Sequence, residues 1–206
     1  MEKMIDAVIW DMGGVLLRTE DPIPRLKLAE RLGITAEELY TTVFMSETAE
    51  FAMIGKIKED LHWDFIRRKF DLSATQLEEF QSVFWSGDRV DEKLVDYINS
   101  LRPGVQTALL SNAWSEARNI ITSRFRMLHA FDVIVFSAEI GLAKPDRRIF
   151  HYVLKKLGLP ADRTVFIDDI KGNVDGARSL GMKGIVFTGR DQTVEELVRL
   201  NVTGHS

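Results

Sequence analysis

Ile5-Asp6-Ala7-Val8-Ile9-Trp10-Asp11-Met12-Gly13-Gly14-Val15-Leu16 is the stretch that decides how this chain folds. Its first part, Ile5–Trp10, is a mostly apolar run that ends at the carboxylate of Asp11, and two glycines follow soon after. Buried parallel strands are typically continuous hydrophobic runs of this length. The stretch therefore predicts a buried strand that presents Asp11 at its carboxyl end.

Three further apolar runs share this pattern, in which polar residues follow the end of the run. They are Val105–Leu110 before Ser111-Asn112, Val133–Phe136 before Lys144-Pro145 (by way of Gly141), and Val165–Ile167 before Asp168-Asp169. Ligands of open α/β sheets bind outside the carboxyl ends of the strands. If the four runs are neighbouring strands, one crevice receives three carboxylates, a hydroxyl and an ammonium group. Such a set suits a divalent cation together with a phosphate group.

The composition is that of an ordinary soluble globular protein. Hydrophobic residues make up 45% of the 206 residues and charged residues 28%, which allows one sizeable domain or one domain with a smaller insert. The chain has 27 Lys and Arg against 31 Asp and Glu, a formal net charge of -4. Because no broad basic field results, we expect neither nucleic acid nor a membrane surface as a partner.

Cysteine usage and the apolar segments indicate the compartment. The absence of Cys excludes disulfides and thiolate zinc sites and fits a reducing environment. Met1–Trp10 includes acidic residues and lacks an uninterrupted apolar core, so no secretory signal is expected. No stretch approaches the roughly 18 apolar residues that cross a bilayer. We therefore predict a cytoplasmic protein. Separately, we expect a monomer or a small homodimer.

The order of predicted elements indicates an α/β fold with a helical insert. From about residue 91 onward, apolar strand-like runs alternate with helical patterns, which is typical of parallel βαβ units. Residues 18–88 show helical spacing and no strand pattern, with Thr35 and Ser73 as predicted helix N-caps. We expect residues 1–17 and 89–206 to form the α/β domain and residues 18–88 to lie over the crevice.

The four motifs together resemble those of haloacid dehalogenase (HAD) superfamily hydrolases with an inserted helical cap of the C1 type. The matching pieces occur in the family's order: Val8-Ile9-Trp10-Asp11-Met12-Gly13-Gly14-Val15-Leu16, Leu109-Leu110-Ser111-Asn112, Gly141-Leu142-Ala143-Lys144-Pro145-Asp146 and Val165-Phe166-Ile167-Asp168-Asp169. The resemblance covers nearly the whole chain except the cap. It implies a Rossmann-like parallel sheet with helices on both faces, and a hydrolase of small phosphorylated molecules.

Catalytic roles follow from the resemblance and agree with the chemistry of the residues. Asp11 is expected to attack phosphorus and to carry an aspartyl-phosphate, which divides one difficult step into two. Because an anion then approaches an anion, Lys144 and Mg²⁺ are expected to supply positive charge. Ser111 is expected to donate its hydroxyl to a phosphate oxygen.

The resemblance also implies ligands for the metal and for the phosphate group. Asp11, Asp169 and the backbone carbonyl of Gly13 are the expected direct ligands of Mg²⁺, with Asp168 acting through water. The remaining substrate contacts are expected from the backbone N–H of Asn112 and from the chain at Gly13 and Gly14, besides Ser111 and Lys144. A side chain at either glycine would intrude where the chain turns beneath the phosphate.

One position departs from the common phosphatase pattern, which has a second Asp two residues after the nucleophile. That Asp protonates the leaving group and later activates water, and general acid–base catalysis of this kind contributes about 10²–10⁴-fold. This chain has Gly13, as do certain sugar-phosphate phosphatases with an Asp-x-Gly motif. We expect substrates with good leaving groups, such as sugar 1-phosphates or acyl phosphates.

Three alternatives stay open from the sequence. The first is a regulatory or binding member of the fold that has lost turnover, for which Gly13 is the only support. The second is a 2-haloacid dehalogenase, although dehalogenation uses no metal and Asp168-Asp169 resembles a metal-binding pair. The third is a phosphonate hydrolase, which would need Lys56 or Lys58 to enter the site from the cap.

Single residues also have simpler explanations. Asp11 alone could cap a helix, and Lys144 could be a solvated loop lysine, because Pro145 explains a helix start by itself. Trp114, which follows the second motif, is expected to pack in a hydrophobic core. The sequence favours the catalytic roles because all four motifs occur together.

Overall fold

The computed structural model describes residues 4–125 and 127–203. Its strands are β1 (Ala7–Trp10), β2 (Leu17–Thr19), β3 (Asp88–Val90), β4 (Gln106–Ser111), β5 (Val133–Phe136), β6 (Thr164–Asp168) and β7 (Lys183–Val186). The helices are α1 (Ile23–Arg31), α2 (Ala36–Phe44), α3 (Glu47–Met53), α4 (Glu59–Lys69), α5 (Ala74–Trp85), α6 (Glu92–Ser100), α7 (Ala117–Arg124), α8 (Ser137–Ile140), α9 (Arg147–Leu157), α10 (Lys171–Arg178) and α11 (Arg190–Arg199).

Five strands form one parallel sheet in the order β5-β4-β1-β6-β7. The strand β1 lies at its centre, and Trp10 is in register with Leu109 of β4 on one side and with Ile167 of β6 on the other. The chain leaves β1 toward β4 in one direction and toward β6 in the other, which makes the carboxyl end of β1 the switch point of the sheet. Ligands of such sheets bind in the crevice at this point. The predicted α/β, Rossmann-like fold class is confirmed.

Helices cover both faces of the sheet, and this explains why the strands are continuous apolar runs. Alternate residues of a strand point to opposite faces, so Val8 and Trp10 belong to one hydrophobic core while Ala7 and Ile9 belong to the other. Helices α6, α7 and α11 pack on the first face, and α9 and α10 pack on the second. A strand that is buried on both faces has no polar side, which is the pattern seen in Ile5–Trp10.

The five helices α1–α5 form a third hydrophobic core of their own. Helices α2 and α5 begin at Thr35 and Ser73, as the sequence predicts, and each has a complete capping box with Glu38 or Gln76. One member of this core comes from elsewhere in the chain: Trp114, in the loop after β4, is 9% exposed and packs among the aromatic side chains of the helices. The expectation that Trp114 packs in a core is therefore confirmed.

Two short strands at the ends of the helical insert were not expected from the sequence. The antiparallel strands β2 and β3 pair Leu17 with Val90 and Thr19 with Asp88, across the whole insert. The carboxylate of Asp88 also accepts hydrogen bonds from Arg25, at 2.9 Å to Oδ1 and 2.8 Å to Oδ2. The pairing begins at Leu17, one residue before the predicted boundary between residues 17 and 18. The outer ends of the predicted α/β domain, residues 1–3 and 204–206, lie outside the described residues.

No helix among the described residues is both long enough and apolar enough to cross a membrane.

A buried histidine in the insert gives stability a defined dependence on pH. The His62 side chain is fully buried, its Nδ1 lies 2.9 Å from Thr48 Oγ1, and burial lowers its pKa to about 4 from an ordinary value of 6.5. Between these pH values the unfolded chain binds a proton that the folded chain does not. Stability therefore falls as the pH drops through this interval, by up to about 3 kcal/mol from this group.

We expect the substitution His62→Gln to remove this part of the pH dependence. The measurement is the free energy of unfolding by urea at about pH 7 and about pH 4.5, for wild type, His62→Gln and the exposed-site control His151→Gln. The control should lose as much stability as wild type between the two pH values, whereas His62→Gln should lose less. An equal loss in all three proteins would contradict the assignment.

Candidate active site

A buried ammonium group joins the carboxyl ends of two neighbouring strands. Lys144 Nζ lies 2.6 Å from Asp11 Oδ1, just after β1, and 2.6 Å from Asp168 Oδ2, at the end of β6. The lysine side chain is only 1% exposed. This burial excludes the simpler explanation of Lys144 as a solvated loop lysine.

The backbone explains why the two carboxylates lie side by side. The Asp11 N–H donates to the carbonyl of Ile167 at 2.8 Å, so the parallel register of β1 and β6 continues one residue past the last strand pair. Asp11 therefore leaves the sheet next to Asp168. The strand register alone delivers both side chains to the crevice.

A third carboxylate completes a group that is able to hold a cation. One oxygen from each of Asp11, Asp168 and Asp169 lies within 4.8 Å of the others. Asp169 is exposed, whereas Asp11 and Asp168 are buried. Clustered carboxylate oxygens are the ligands that Mg²⁺ prefers, so the donor set fits this metal.

The three carboxylates differ in how many of their oxygens are already engaged. Asp168 uses both: Oδ2 accepts from Lys144, and Oδ1 accepts from the Ile170 N–H at 2.8 Å and from Asn173 Nδ2 at 3.1 Å. The Asp169 side chain is exposed, and its carboxylate is held by the backbone N–H groups of Asp169 and Ile170 rather than by the lysine. This contrast suits Asp169 as a direct ligand and Asp168 as an indirect one.

The electrostatics of the site reflect this crowding of negative charge. Burial raises the pKa of Asp11 to about 7, with Lys144 opposing the rise and Asp168 adding to it. Burial and the neighbouring Asp168 also raise the pKa of Asp169. Burial disfavours the charged form of Lys144, but the two carboxylates outweigh it and raise its pKa. The site therefore holds more carboxylate than one ammonium neutralises, and a bound cation would relieve the excess.

The space around the two glycines after Asp11 differs. Gly14 has a φ of +78°, and a Cβ built on it would lie 2.2 Å from Asp169 Oδ2. Close approach of the backbone to the carboxylate thus requires glycine there. Gly13 has no heavy atom within 4 Å of a built Cβ, so the protein leaves room for a side chain there, and the expected intrusion is found at Gly14 but not at Gly13.

The second motif lies on the other side of Asp11. Ser111 is the last residue of β4, the strand next to β1, and it is 2% exposed. The side chain of Asn112 bridges to the third motif, because its Nδ2 donates to the Lys144 carbonyl at 2.9 Å and its Oδ1 accepts from the Lys144 N–H at 2.8 Å. This amide clamp fixes the backbone from which the Lys144 side chain extends.

The structure thus brings together every residue predicted for the site, at the carboxyl ends of β1, β4 and β6: Asp11, Gly13, Gly14, Ser111, Asn112, Lys144, Asp168 and Asp169. Two contributions were missed. Asn173 orients Asp168 from the first turn of α10, and Asn112 holds the Lys144 backbone with its side chain, whereas the sequence predicts a role only for its backbone N–H. Asn173 falls five residues after Asp168, a spacing that puts it in the first turn of the following helix.

A family model described as haloacid dehalogenase-like hydrolase matches residues 5–181. The sequence is 29% identical to sesquiterpene phosphatase astK of Aspergillus oryzae, covering 94% of this chain and 95% of that protein. It is 26% identical to D-ribitol-5-phosphate phosphatase of Bacteroides thetaiotaomicron, covering 87% and 90%.

Other relatives are longer, and a solved structure has the same fold. The chain is 26% identical to drimenol cyclase drtB of Aspergillus calidoustus, of which it spans only 37%. A crystal structure of a HAD family enzyme from Bacteroides thetaiotaomicron in a magnesium complex matches with a TM-score of 0.78 at 24% identity, covering 96% of this chain and 100% of that one.

The contrast between the two glycines predicts how cation binding responds to mutation. Gly14→Ala should weaken the binding of Mg²⁺ about tenfold or more, because the new methyl group collides with the Asp169 carboxylate. Gly13→Ala is the matched control and should bind Mg²⁺ as wild type does. Isothermal titration calorimetry with Mg²⁺ measures both. Equal affinity in Gly14→Ala and wild type would show that Asp169 is not a ligand.

Proposed function

The chain belongs to the haloacid dehalogenase-like hydrolases, and from this premise we propose that it is a Mg²⁺-dependent phosphomonoester hydrolase acting on a small phosphorylated metabolite. The observation that carries the proposal is the buried arrangement in which Lys144 Nζ lies 2.6 Å from both Asp11 and Asp168, with Asp169 beside them. The relatives that this chain matches over nearly their full length include phosphatases. Residues 1–17 and 89–206 would be the catalytic core and residues 18–88 the cap.

The proposed reaction proceeds in two displacements. An Asp11 carboxylate oxygen attacks phosphorus, the bond from phosphorus to the leaving-group oxygen breaks, and that oxygen departs with the bonding electrons. Water then attacks the phosphorus of the aspartyl-phosphate, and the bond from phosphorus to the Asp11 oxygen breaks. The Asp11 carboxylate returns, and the two protons of the water leave with the phosphate as dihydrogen phosphate. Ser111 and the Asn112 N–H bind phosphate oxygens throughout.

Positive charge at the site comes from two sources. The Lys144 ammonium is fixed within 2.6 Å of the nucleophile, where it offsets repulsion between the carboxylate and the phosphate group. Mg²⁺, when held by Asp11, Asp169 and the Gly13 carbonyl, supplies charge for the phosphoryl oxygens. Asp168 keeps Lys144 in place and, through water, supports the metal.

Gly13 determines which leaving groups the enzyme handles well. The departing oxygen needs a proton unless it is a weak base, and position 13 carries no side chain to provide one. The proposed substrates therefore have good leaving groups, such as sugar 1-phosphates or acyl phosphates. Two phosphatase relatives are named for a sesquiterpene and for a sugar alcohol phosphate, which leaves the carbon skeleton to be found by screening.

We predict that Asp11→Asn abolishes turnover. The rate of phosphate release should fall at least about 10³-fold, because the amide is a poor nucleophile, and brief incubation with a ³²P-labelled substrate should leave the variant unlabelled. The control Asp175→Asn changes an exposed carboxylate on α10 that pairs with Lys171 and should keep the label. Labelling of wild type should require Mg²⁺.

Two results in related assays would replace the proposed function with another one. Halide release from a 2-haloacid that persists with a chelator would identify a dehalogenase. Phosphate binding by the wild type without any turnover across a broad ester panel would identify a regulatory member of the fold.

We predict that Gly13→Asp broadens the range of substrates. Because nothing lies within 4 Å of a Cβ at this position, a carboxyl group fits there and is able to donate a proton. Turnover of unactivated alkyl phosphates should rise up to about 10²-fold, while acyl phosphates change little. Gly13→Asn matches the size without the acid and should show no gain. A gain in neither variant would mean that another group transfers the proton.

A further inference from the structure

A pair of reciprocal contacts joins the helical insert to the loop that follows the second motif. The Glu59 carboxylate, at the start of α4, accepts the Glu116 N–H at 3.0 Å, and the Glu59 N–H donates to Ser115 Oγ at 3.4 Å. Glu116 and Lys58 are the N-cap residues of α7 and α4, and neither caps its own helix with its side chain. Each helix therefore takes its capping group from the other segment.

The arrangement is a capping box split between two parts of the chain. In an ordinary capping box, a Ser or Thr side chain caps the helix while a Glu three residues later accepts the N–H of the N-cap residue. Here Glu59 accepts that N–H from a helix 57 residues away in sequence. Because the partners are so distant, this contact fixes the position of the insert relative to the sheet.

The Glu59 carboxylate is buried, and hydrogen bonds hold both of its oxygens. Glu59 is 8% exposed, and its second oxygen accepts the indole N–H of Trp63 at 3.0 Å. No ion pair joins Glu59 to a cation among the described residues of the chain. A buried carboxylate is costly unless N–H donors and a helix N-terminus compensate it, and here both compensate it.

The same loop carries the phosphate-binding groups at its other end. Ser111 and Asn112 begin it, and Asn112 is clamped to the Lys144 backbone. The middle of the loop is also held by the insert, since the Trp114 indole N–H donates to the Ala49 carbonyl at 3.2 Å. The loop is thus fixed to the catalytic lysine at one end and to the insert at the other.

We infer that Glu59 is a positioning residue for phosphate binding, because it holds the loop of residues 111–116 in register with the insert. The inference rests on the proposed function and adds that docking of the insert and affinity for phosphate are coupled through this carboxylate. Loss of the contact releases the loop end, and Ser111 then spends less time in the binding geometry.

Glu59→Gln tests the coupling, because an amide provides one acceptor oxygen where the carboxylate provides two. The inhibition constant for inorganic phosphate and the KM should each rise about tenfold, equivalent to about 1.4 kcal/mol, with kcat changed less. Backbone hydrogen exchange should accelerate at Glu116. Ser115→Ala, a milder change at an exposed side chain, should produce the same effects more weakly.

Trp63→Phe is the matched control, since it removes the other donor to Glu59, leaves the contact with Glu116 in place and keeps an aromatic ring against Trp114 of the loop. It should lower the melting temperature without changing the phosphate inhibition constant. Unchanged phosphate inhibition in folded Glu59→Gln, or an equal rise in Trp63→Phe, would overturn the inference. Failure of the proposed function would differ, because wild type itself would then release no phosphate, and exchange at Glu116 would still decide whether Glu59 holds the loop.

Discussion

The ammonium of Lys144 is the interaction on which the rest of the site depends. It lies between two carboxylates that would repel each other, at 2.6 Å from each, on a side chain that is 1% exposed. Burying three charged groups is expensive, and leaving one of them without its partner costs about 3–5 kcal/mol. The surrounding structure accordingly secures all three, through the sheet register at Asp11, through Asn173 at Asp168 and through Asn112 at the lysine backbone.

The parallel sheet brings these groups together with little additional structure. Because β1 is central, the residue just past its carboxyl end and the last residues of its two neighbours face the same crevice. Asp11, Ser111 and Asp168 are in such positions. Lys144 is different, since it follows β5 by a short helix and a loop and has to return across the sheet edge. The hydrogen bond from the Asn112 side chain to the Lys144 backbone holds the loop in the position from which the lysine reaches the crevice.

The sequence predicts those features of the structure that depend on residues close together in the chain. The strands were predictable because burial on both faces requires continuous apolar runs, and α2 and α5 were predictable because a capping box is a local pattern. The strands β2 and β3 are short and pair across the entire insert, so no local pattern indicates them. The role of Glu59 was hidden for the same reason: its partners are a tryptophan one turn away and a backbone N–H in another part of the chain.

The charges of the site favour the proposed binding of a cation together with a phosphate group. Asp11, Asp168 and Asp169 carry three negative charges against one positive charge on Lys144 when all are ionised. The raised pKa of Asp11 is the sign that burial and this excess disfavour its ionised, nucleophilic form. A bound divalent cation would balance the remaining two charges and would favour the carboxylate form of Asp11. With the carboxylates neutralised in this way, the backbone N–H groups, the Ser111 hydroxyl and the lysine would remain as donors for the phosphate group of the proposed substrate.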